Sequence, residues 1–154
     1  MAIAPNTTFV SGAILTAAQQ NAFGFSTVGL ATSSTLYMAG VTTVVDLTGM
    51  SVTFTAIANR NYKISGYTYI VPTVSNVTAY MKIKQGATVL QTCIAEVGTA
   101  TVGSTVSAFV VKTFTAGSVT LKLTGELGAG GGSLTFFADG TLPTTLLVED
   151  IGPA

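Results

Sequence analysis

An aromatic run at residues 56–71, AIANRNYKISGYTYIV, constrains the fold of this chain more than any other segment. In a β-strand, side chains two residues apart share a face, so Tyr62 and Ile64 lie on one face. Tyr67 and Tyr69 then lie on the opposite face. Either the intervening glycine forms a β-bulge that resets the alternation, or the strand is buried on both faces, against its own core and against another subunit. The sequence leaves both explanations open.

From residue 41 onward the sequence alternates as short β-strands do. Residues 77–84 alternate apolar with polar side chains most regularly, and Val52 and Phe54 alternate with threonines in the same way. Turn dipeptides such as Ala116-Gly117 and Asp139-Gly140 separate these runs at intervals of about ten residues. The pattern predicts an all-β, antiparallel sandwich or barrel of about nine strands, in a domain spanning residues 36–154.

Residues 1–35 have no sustained periodicity and are predicted to form an N-terminal arm. Within the arm, residues 16–23 begin with a helix-capping threonine and end before a glycine, which predicts one or two helical turns. So short a helix needs a surface to lie on, which is its own domain, a sister subunit or another protein. The large apolar residues of the arm are its candidate anchors on a partner: Phe9, Leu15, Phe23 and Phe25.

The composition suggests a protein whose surface is largely covered. Charged residues make up 8% of the chain and the net charge is zero, whereas threonine occurs 27 times and glycine 17 times. A surface covered mainly with hydroxyl groups indicates either a very stable β-protein or large areas buried by neighbouring chains, and the second is favoured. The lack of positive charge argues against nucleic acid and anionic membranes as partners.

No membrane span or secretory signal is predicted. Polar residues and glycine interrupt every apolar run well short of the roughly 18 residues that a spanning helix needs. The first residues lack the basic segment and continuous apolar core of a signal peptide, so we expect synthesis in a cytoplasm.

Catalytic chemistry has little support in the residues. Histidine is absent, which removes the commonest general base and metal ligand. Glu149 and Asp150 are adjacent on a predicted strand and therefore point to opposite faces, so they do not form an acid–base pair. Residues 130–132, three glycines, lack the flanking residues of a phosphate-binding loop and are interpreted as an ordinary loop. Cys93 is the single cysteine and is expected to be buried. The sequence therefore predicts no enzyme, no cofactor and no metal.

A second strand, residues 106–111, also carries large apolar residues on both faces. Together with the aromatic strand it suggests a surface between subunits. Three interpretations remain open for the large residues concerned, namely a subunit interface, the core of the domain itself and a ligand-binding platform. These residues are Tyr67, Tyr69, Phe109, Val111 and Phe137. By contrast, Tyr80, Lys82 and Lys84 are expected on the solvated face of their strand, where they could touch a capsid or a glycan.

Four short segments carry a family resemblance. Residues 8–23, TFVSGAILTAAQQNAF, resemble a G-x-x-L-T-A-x-x-x-N arm, and residues 58–65, ANRNYKIS, resemble a G-R-x-Y-x-I strand entry with Asn59 at the glycine position. Residues 115–121, TAGSVTL, and 147–153, LVEDIGP, complete the likeness. Such segments are typical of small virion proteins of tailed bacteriophages, with a trimeric jelly roll of the kind found in C1q and tumour necrosis factor.

The resemblance implies a homotrimeric jelly roll located on a virion. Its first functional reading is a capsid decoration (cement) protein that binds the major capsid protein through the arm and reinforces the shell. The alternative is a tail-fibre or receptor-binding tip, in which the arm joins a tail protein and loops 98–104 and 128–132 recognise host glycans.

Overall fold

The computed structural model describes residues 26–154, which form two antiparallel β-sheets packed face to face. These residues contain no helix, and thus no helix long and apolar enough to cross a membrane. The ten strands are β1 (Ser26–Ser33), β2 (Tyr37–Val41), β3 (Val45–Ala56), β4 (Arg60–Pro72), β5 (Val77–Gln85), β6 (Thr88–Val97), β7 (Ser104–Thr113), β8 (Gly117–Ala129), β9 (Leu134–Phe137) and β10 (Thr144–Pro153).

The aromatic strand β4 is the centre of a six-stranded sheet. Strand β7 pairs along one edge of β4, while β10 and β9 share the other edge and are followed outward by β1 and β2 respectively. The second sheet has four strands in the order β3-β8-β5-β6. Neighbours that are distant in sequence, with antiparallel pairing throughout, make this a jelly-roll sandwich. The predicted fold class is confirmed, with ten strands in the described residues instead of about nine.

Strand β4 alternates without interruption from end to end, and this excludes one of the two explanations for its pattern. Its pairing with both β7 and β10 continues through Gly66 without a register shift, so the bulge explanation is wrong. Gly66 faces the core, where an added Cβ would lie 2.6 Å from Cδ2 of Leu123. The residue is therefore glycine because the opposite sheet approaches closely. Register shifts occur in other strands, for example in β3 between Asp46 and Ser51, where Gly49 has a φ of 77°.

The core lies between the inward faces of the two sheets. The aromatic rings of Phe54, Tyr62 and Phe114 form one cluster in it, with ring centroids 5.1–5.9 Å apart. The phenol oxygen of Tyr62 accepts a hydrogen bond of 2.8 Å from the backbone N–H of Ile57, so the buried ring keeps a polar partner. The largest fully buried side chains are Tyr62, Phe136, Met50, Ile64, Ile70, Met81, Ile83, Leu121, Leu123, Leu134, Leu146 and Val77.

The structure corrects two boundaries that were predicted from the sequence. Residues 26–33, assigned to the arm, form β1 and pair with β10 over most of its length. The strands that were predicted from residue 41 onward begin earlier, because β2 already starts at Tyr37. The predicted helix at 16–23 and the candidate anchors Phe9, Leu15, Phe23 and Phe25 lie outside the described residues.

One end of the sandwich holds both the entry of β1 and the end of the chain. Ser26 pairs with Asp150, and the backbone N–H of Ala154 donates a 3.0 Å hydrogen bond to the carbonyl of Asn59. A buried ion pair joins Arg60 to Asp150 with an N–O distance of 2.5 Å, and the second carboxylate oxygen accepts from the N–H of Gly152 at 3.0 Å. These contacts fasten the last strand to the start of β4 at this end.

The opposite end gathers three loops. The β4–β5 turn is bonded to the β6–β7 loop, because the N–H of Ala100 donates to the Ser75 hydroxyl at 3.1 Å and the N–H of Thr101 donates to the Pro72 carbonyl at 2.9 Å. The same turn is bonded to the β8–β9 loop, because the N–H of Thr73 donates to the Ser133 carbonyl at 3.0 Å. The two loops predicted as a recognition surface therefore lie together, at the end far from Ser26.

Candidate interaction surface

The outward side of the six-stranded sheet carries rows of large apolar side chains. In one row, Phe109 on β7 lies beside Ser65 on β4, which lies beside Leu147 on β10 and then Leu30 on β1. Side chains directly opposite on antiparallel strands are close neighbours, so this row forms one continuous strip across the sheet.

A second row is aromatic. Tyr69 on β4 pairs with Phe137 on β9, which pairs with Tyr37 on β2. The rings of Tyr69 and Phe137 meet edge to face, with their centroids 6.3 Å apart. Tyr69 also lies over Gly103, where an added Cβ would be 1.9 Å from its phenol oxygen, so the β6–β7 loop holds this ring in place.

We call this surface the apolar face. Several of its members are largely exposed in the single chain: Tyr37 is 69% exposed, Phe109 68%, Leu30 58% and Val111 45%. Contiguous exposed apolar residues of this size mark interaction sites in soluble proteins. The residues of the apolar face are Leu30, Tyr37, Tyr67, Tyr69, Phe109, Val111, Phe137 and Leu147.

A depression of about 480 Å³ lies in the middle of the apolar face. Ser65 and Gly66, two small residues of the aromatic strand, line it together with Tyr67, Phe109 and Leu147. An apolar hollow beside the exposed ring of Phe109 suits a large apolar side chain from another molecule.

One ion pair lies at the border of the apolar face. Lys63 and Glu149 are cross-strand neighbours on β4 and β10, with an N–O distance of 3.1 Å. Val111 on β7 is the other neighbour of Lys63. The opposite charges of Lys63 and Glu149 cancel, so the ion pair adds no net charge to the border of the apolar face.

The outward side of the four-stranded sheet, which we call the polar face, is built differently. The hydroxyls of Thr53 and Thr120 are hydrogen-bonded across β3 and β8 at 2.8 Å. Lys122 forms a 2.6 Å ion pair with Asp46. The residues of the polar face are Thr53, Thr55, Thr78, Tyr80, Lys82, Lys84, Ile94, Glu96, Thr120, Lys122 and Glu126.

The candidate interface residues Tyr67, Tyr69, Phe109, Val111 and Phe137 all belong to the apolar face. None of them points into the core between the sheets, so the interpretation as core residues is wrong, and the subunit interface and the ligand platform remain. Tyr80, Lys82 and Lys84 lie on the polar face, as expected, with the Lys82 ammonium 5.6 Å from the centre of the Tyr80 ring and paired with Glu126.

The sequence prediction missed three members of the apolar face. Leu30 was missed because β1 was assigned to the arm, and Tyr37 because β2 was expected to start later. Leu147 was missed because residues 146–148 are all apolar and do not alternate. Knowledge that β10 pairs with β4 would have revealed Leu147. A strand next to β4 that buries one face must turn its other face outward.

The remaining candidate sites have structural explanations. Glu149 faces outward in its pair with Lys63, whereas Asp150 is buried with Arg60, so the two carboxylates do stand on opposite sides of the sheet. No group of three or more histidine, cysteine, aspartate or glutamate residues able to hold a metal occurs within residues 26–154. Cys93 is half-buried on the edge strand β6, which corrects the expectation of a buried thiol.

Residues 130–132 lie in the β8–β9 connection, and Gly130 and Gly132 have φ angles of 93° and 76°. An added Cβ at Gly130 would lie 2.8 Å from the Asn76 carbonyl oxygen. The glycines are therefore required by backbone conformation and close packing, in a loop of the kind that the sequence predicted.

Hydrogen bonds from its own turn lower the pKa of Asp139. The hydroxyl of Thr141 and the backbone N–H groups of Thr141 and Leu142 all donate to its carboxylate, and these hydrogen bonds hold the pKa of Asp139 below its ordinary value. The residue closes the turn between β9 and β10 and lies in no cleft, so its role is structural.

The fold resembles that of known jelly-roll proteins, although the sequence matches no protein family model and no curated protein. The Eiger TNF of S. frugiperda superposes with a TM-score of 0.53 at 9% identity, over 84% of this chain and 94% of that chain. The globular domain of zebrafish complement 1qA gives 0.45 at 14% identity, over 81% of this chain and 96% of that chain. Infectious bursal virus derived T=1 particles give 0.47 at 14% identity, over 81% of this chain and 36% of that chain. At these identities the likeness shows the fold alone.

Proposed function

We propose that this protein is a structural virion protein, a homotrimer that assembles through its apolar face and decorates a phage capsid. The apolar face is the observation that carries the proposal. It exposes Phe109, Leu30 and Tyr37 by more than half of their surface, on a chain in which charged residues are only 8% of the sequence. A second copy of the chain, bearing the same face, is the partner that would cover it.

The energetics favour self-association through this face. Burial of apolar surface contributes about 25 cal/mol per Å², and a stable interface covers about 800 Å² on each partner. The side chains stand on a paired sheet, with Tyr69 held by Gly103 and Phe137, so ordering them on association costs little entropy. The depression at Ser65, beside Phe109, offers the hole that a neighbour's large side chain would fill.

Threefold symmetry is part of the proposal because of the family resemblance. Closed rings bury the same surfaces on every subunit and leave no open end, so a trimer would satisfy the apolar face of each copy without forming fibres. The resemblance of residues 58–65 and 147–153 to trimeric virion jelly rolls involves β4 and β10, the two strands at the centre of this face.

Two observations support the capsid role in this proposal: the family resemblance, and the end of the sandwich at which the chain enters. Residues 8–23 resemble the arm of virion proteins, and the chain enters the sandwich at Ser26, at the end opposite the three loops. A trimer would thus extend three arms from one end and contact several shell subunits at once. Binding at several points raises the overall affinity well above that of a single arm and ties the shell subunits together.

Sedimentation across a range of micromolar concentrations tests the assembly. We expect one species with three times the 15.6 kDa mass of the chain. A single subunit that persists at micromolar concentration would contradict the proposal.

Truncation tests the arm. Because β1 belongs to the sheet, the informative variant begins at Ser26 and not at residue 36. Mixed with particles that lack this protein, the full chain should bind in hundreds of copies, and the truncated chain should remain trimeric but stay unbound. Equal binding by both would reject the arm as anchor, and no binding by the full chain would reject decoration.

A tail-fibre tip is the second candidate, and the convergence of the loops favours it. The β6–β7 and β8–β9 loops are bonded to the same β4–β5 turn and together form the end far from Ser26. Copy number separates the two functions, since a tail component is present in a few dozen copies or fewer per particle.

A further inference from the structure

We propose that the loop end of the sandwich carries a binding site for a neutral saccharide. A depression of about 420 Å³ lies there, at the ends of β5 and β6. This volume lies within the range of roughly 300–1,000 Å³ that is usual for small-molecule sites. The site is separate from the apolar face, and the proposal does not rest on the capsid role.

The polar groups of the depression suit a ligand that carries several hydroxyls. Thr78 and Glu96 are direct cross-strand neighbours on β5 and β6, and Asn76 lies at the start of β5. A carboxylate accepts hydrogen bonds, an amide both donates and accepts, and a hydroxyl does either. These three groups together can pair with adjacent hydroxyls of a sugar ring.

The charge of the depression argues against anionic ligands and against calcium. Glu96 is its single charged residue and takes part in none of the ion pairs formed among residues 26–154. No lysine or arginine lines the depression, so a phosphate or carboxylate ligand would gain no ion pair. Calcium sites combine carboxylates with carbonyl oxygens and water, and this depression offers a single carboxylate.

An apolar platform continues from the depression along the polar face. Tyr80 follows Thr78 on the same side of β5 and pairs with Ile94, which is 59% exposed. The ring of Tyr80 lies over Gly128, where an added Cβ would be 2.3 Å from Cε2. A fixed ring beside converging polar groups lets a sugar place its C–H surface on the ring and its hydroxyls on Thr78 and Glu96.

The backbone around the depression is held in an unusual conformation. Asn76 has a φ of 57° and Thr101 a φ of 62°, a region that is rare for a β-branched residue. Strained residues persist where the surrounding structure fixes them, and they concentrate at binding sites. Here the bonds from Ala100 to Ser75 and from Thr101 to Pro72 fix both loops before any ligand arrives. A site formed in advance loses little entropy on binding.

Ligand-observed NMR on the full-length protein tests the site. The probes are the methyl glycosides of glucose, galactose, mannose and N-acetylglucosamine, each at millimolar concentration. At least one should show saturable binding. Glu96→Ala and Asn76→Gly, the latter chosen because glycine tolerates the positive φ, should each weaken it tenfold or more while the melting temperature stays within a few degrees.

Lys84→Ala is the matched control, because Lys84 stands on the same strand and the same face but outside the depression. Its binding should stay within twofold of the original chain. The proposal is overturned if none of the four glycosides binds, if both depression variants bind as well as the control, or if a lysine-containing peptide binds there and the glycosides do not. Sedimentation is unaffected by these outcomes, so failure here is distinguishable from failure of the proposed assembly.

Discussion

The two outward faces of this sandwich follow the same alternation of side chains and yet have opposite chemistry. On β4 and β7 the outward positions include Tyr67, Tyr69 and Phe109, whereas on β3 and β8 they include Thr53 and Thr120. The polar face is the ordinary solvated side of an antiparallel sheet. The apolar face carries large apolar side chains of the kind found in a protein core, but residues 26–154 supply no second layer that covers them.

The comparison shows that the few charged residues of this chain are not distributed evenly over its two outward faces. The polar face carries two ion pairs, Lys122 with Asp46 and Lys82 with Glu126, and the apolar face has a single pair at its border. Hydroxyl groups and these ion pairs suit the polar face to contact with water. The apolar face has few such groups and is suited to burial against another molecule.

The largest expected effect comes from placing a charge on each face in turn. If the apolar face is the subunit interface, Phe109→Asp would bury a carboxylate between subunits, and we expect the proposed trimer to dissociate, with a loss of affinity of a hundredfold or more. Sedimentation at micromolar concentration measures this. Thr120→Asp, the matched change on the polar face, should leave the trimer intact. If both variants remain trimeric, the apolar face is not the interface.

A smaller effect is expected from breaking one ion pair on each face. Glu149→Ala would leave Lys63 at the edge of a covered interface, which should cost about 2 kcal/mol of assembly free energy per subunit. Asp46→Ala breaks the exposed pair with Lys122 and should cost about 1 kcal/mol or less. Denaturation at two protein concentrations separates assembly from folding, and equal costs for the two variants would contradict the distinction between the faces.

The smallest expected effect concerns Asp139, which provides a reference outside both faces. Its lowered pKa means that its contribution to stability is present above the pKa of an unfolded aspartate, about 4. That contribution is lost as the pH falls through the lower folded pKa. Asp139→Asn should therefore reduce the melting temperature slightly at pH 7 and flatten its decline below pH about 4. Thermal melts from pH 7 to pH 2 check this, and a variant with an unchanged profile would show that the turn does not depend on the carboxylate.

Local alternation was enough to predict most of the strands. Residues 77–84 lie within β5, and residues 60–71 of the aromatic run lie within β4, because one face of each strand is buried and the period of two is strict. The outward direction of Tyr67 and Tyr69 followed from the same rule, once the bulge at Gly66 was excluded by continuous pairing.

What the sequence did not reveal depends on contacts between distant segments. β1 has no period of its own, because a bulge interrupts its pairing with β10 between Thr27 and Gly29, and Gly29 is required by contact with Val52 on the other sheet. The depression at Thr78 and Glu96 arises from cross-strand register, which no local pattern shows. Strand order, and hence the composition of each face, follows from pairings between residues that are far apart in the sequence, such as Ser26 and Asp150.

The neighbourhood of Ser26 and Ala154 has a practical consequence. A fluorescent label, an affinity tag or a foreign domain fused before β1 or after residue 154 would emerge from the same pole of the sandwich, close to the bonds that join Ala154 to Asn59 and Asp150 to Arg60. A domain fused at either place leaves the three-loop pole unobstructed, so both fusions could be used while the loops stay accessible to a ligand.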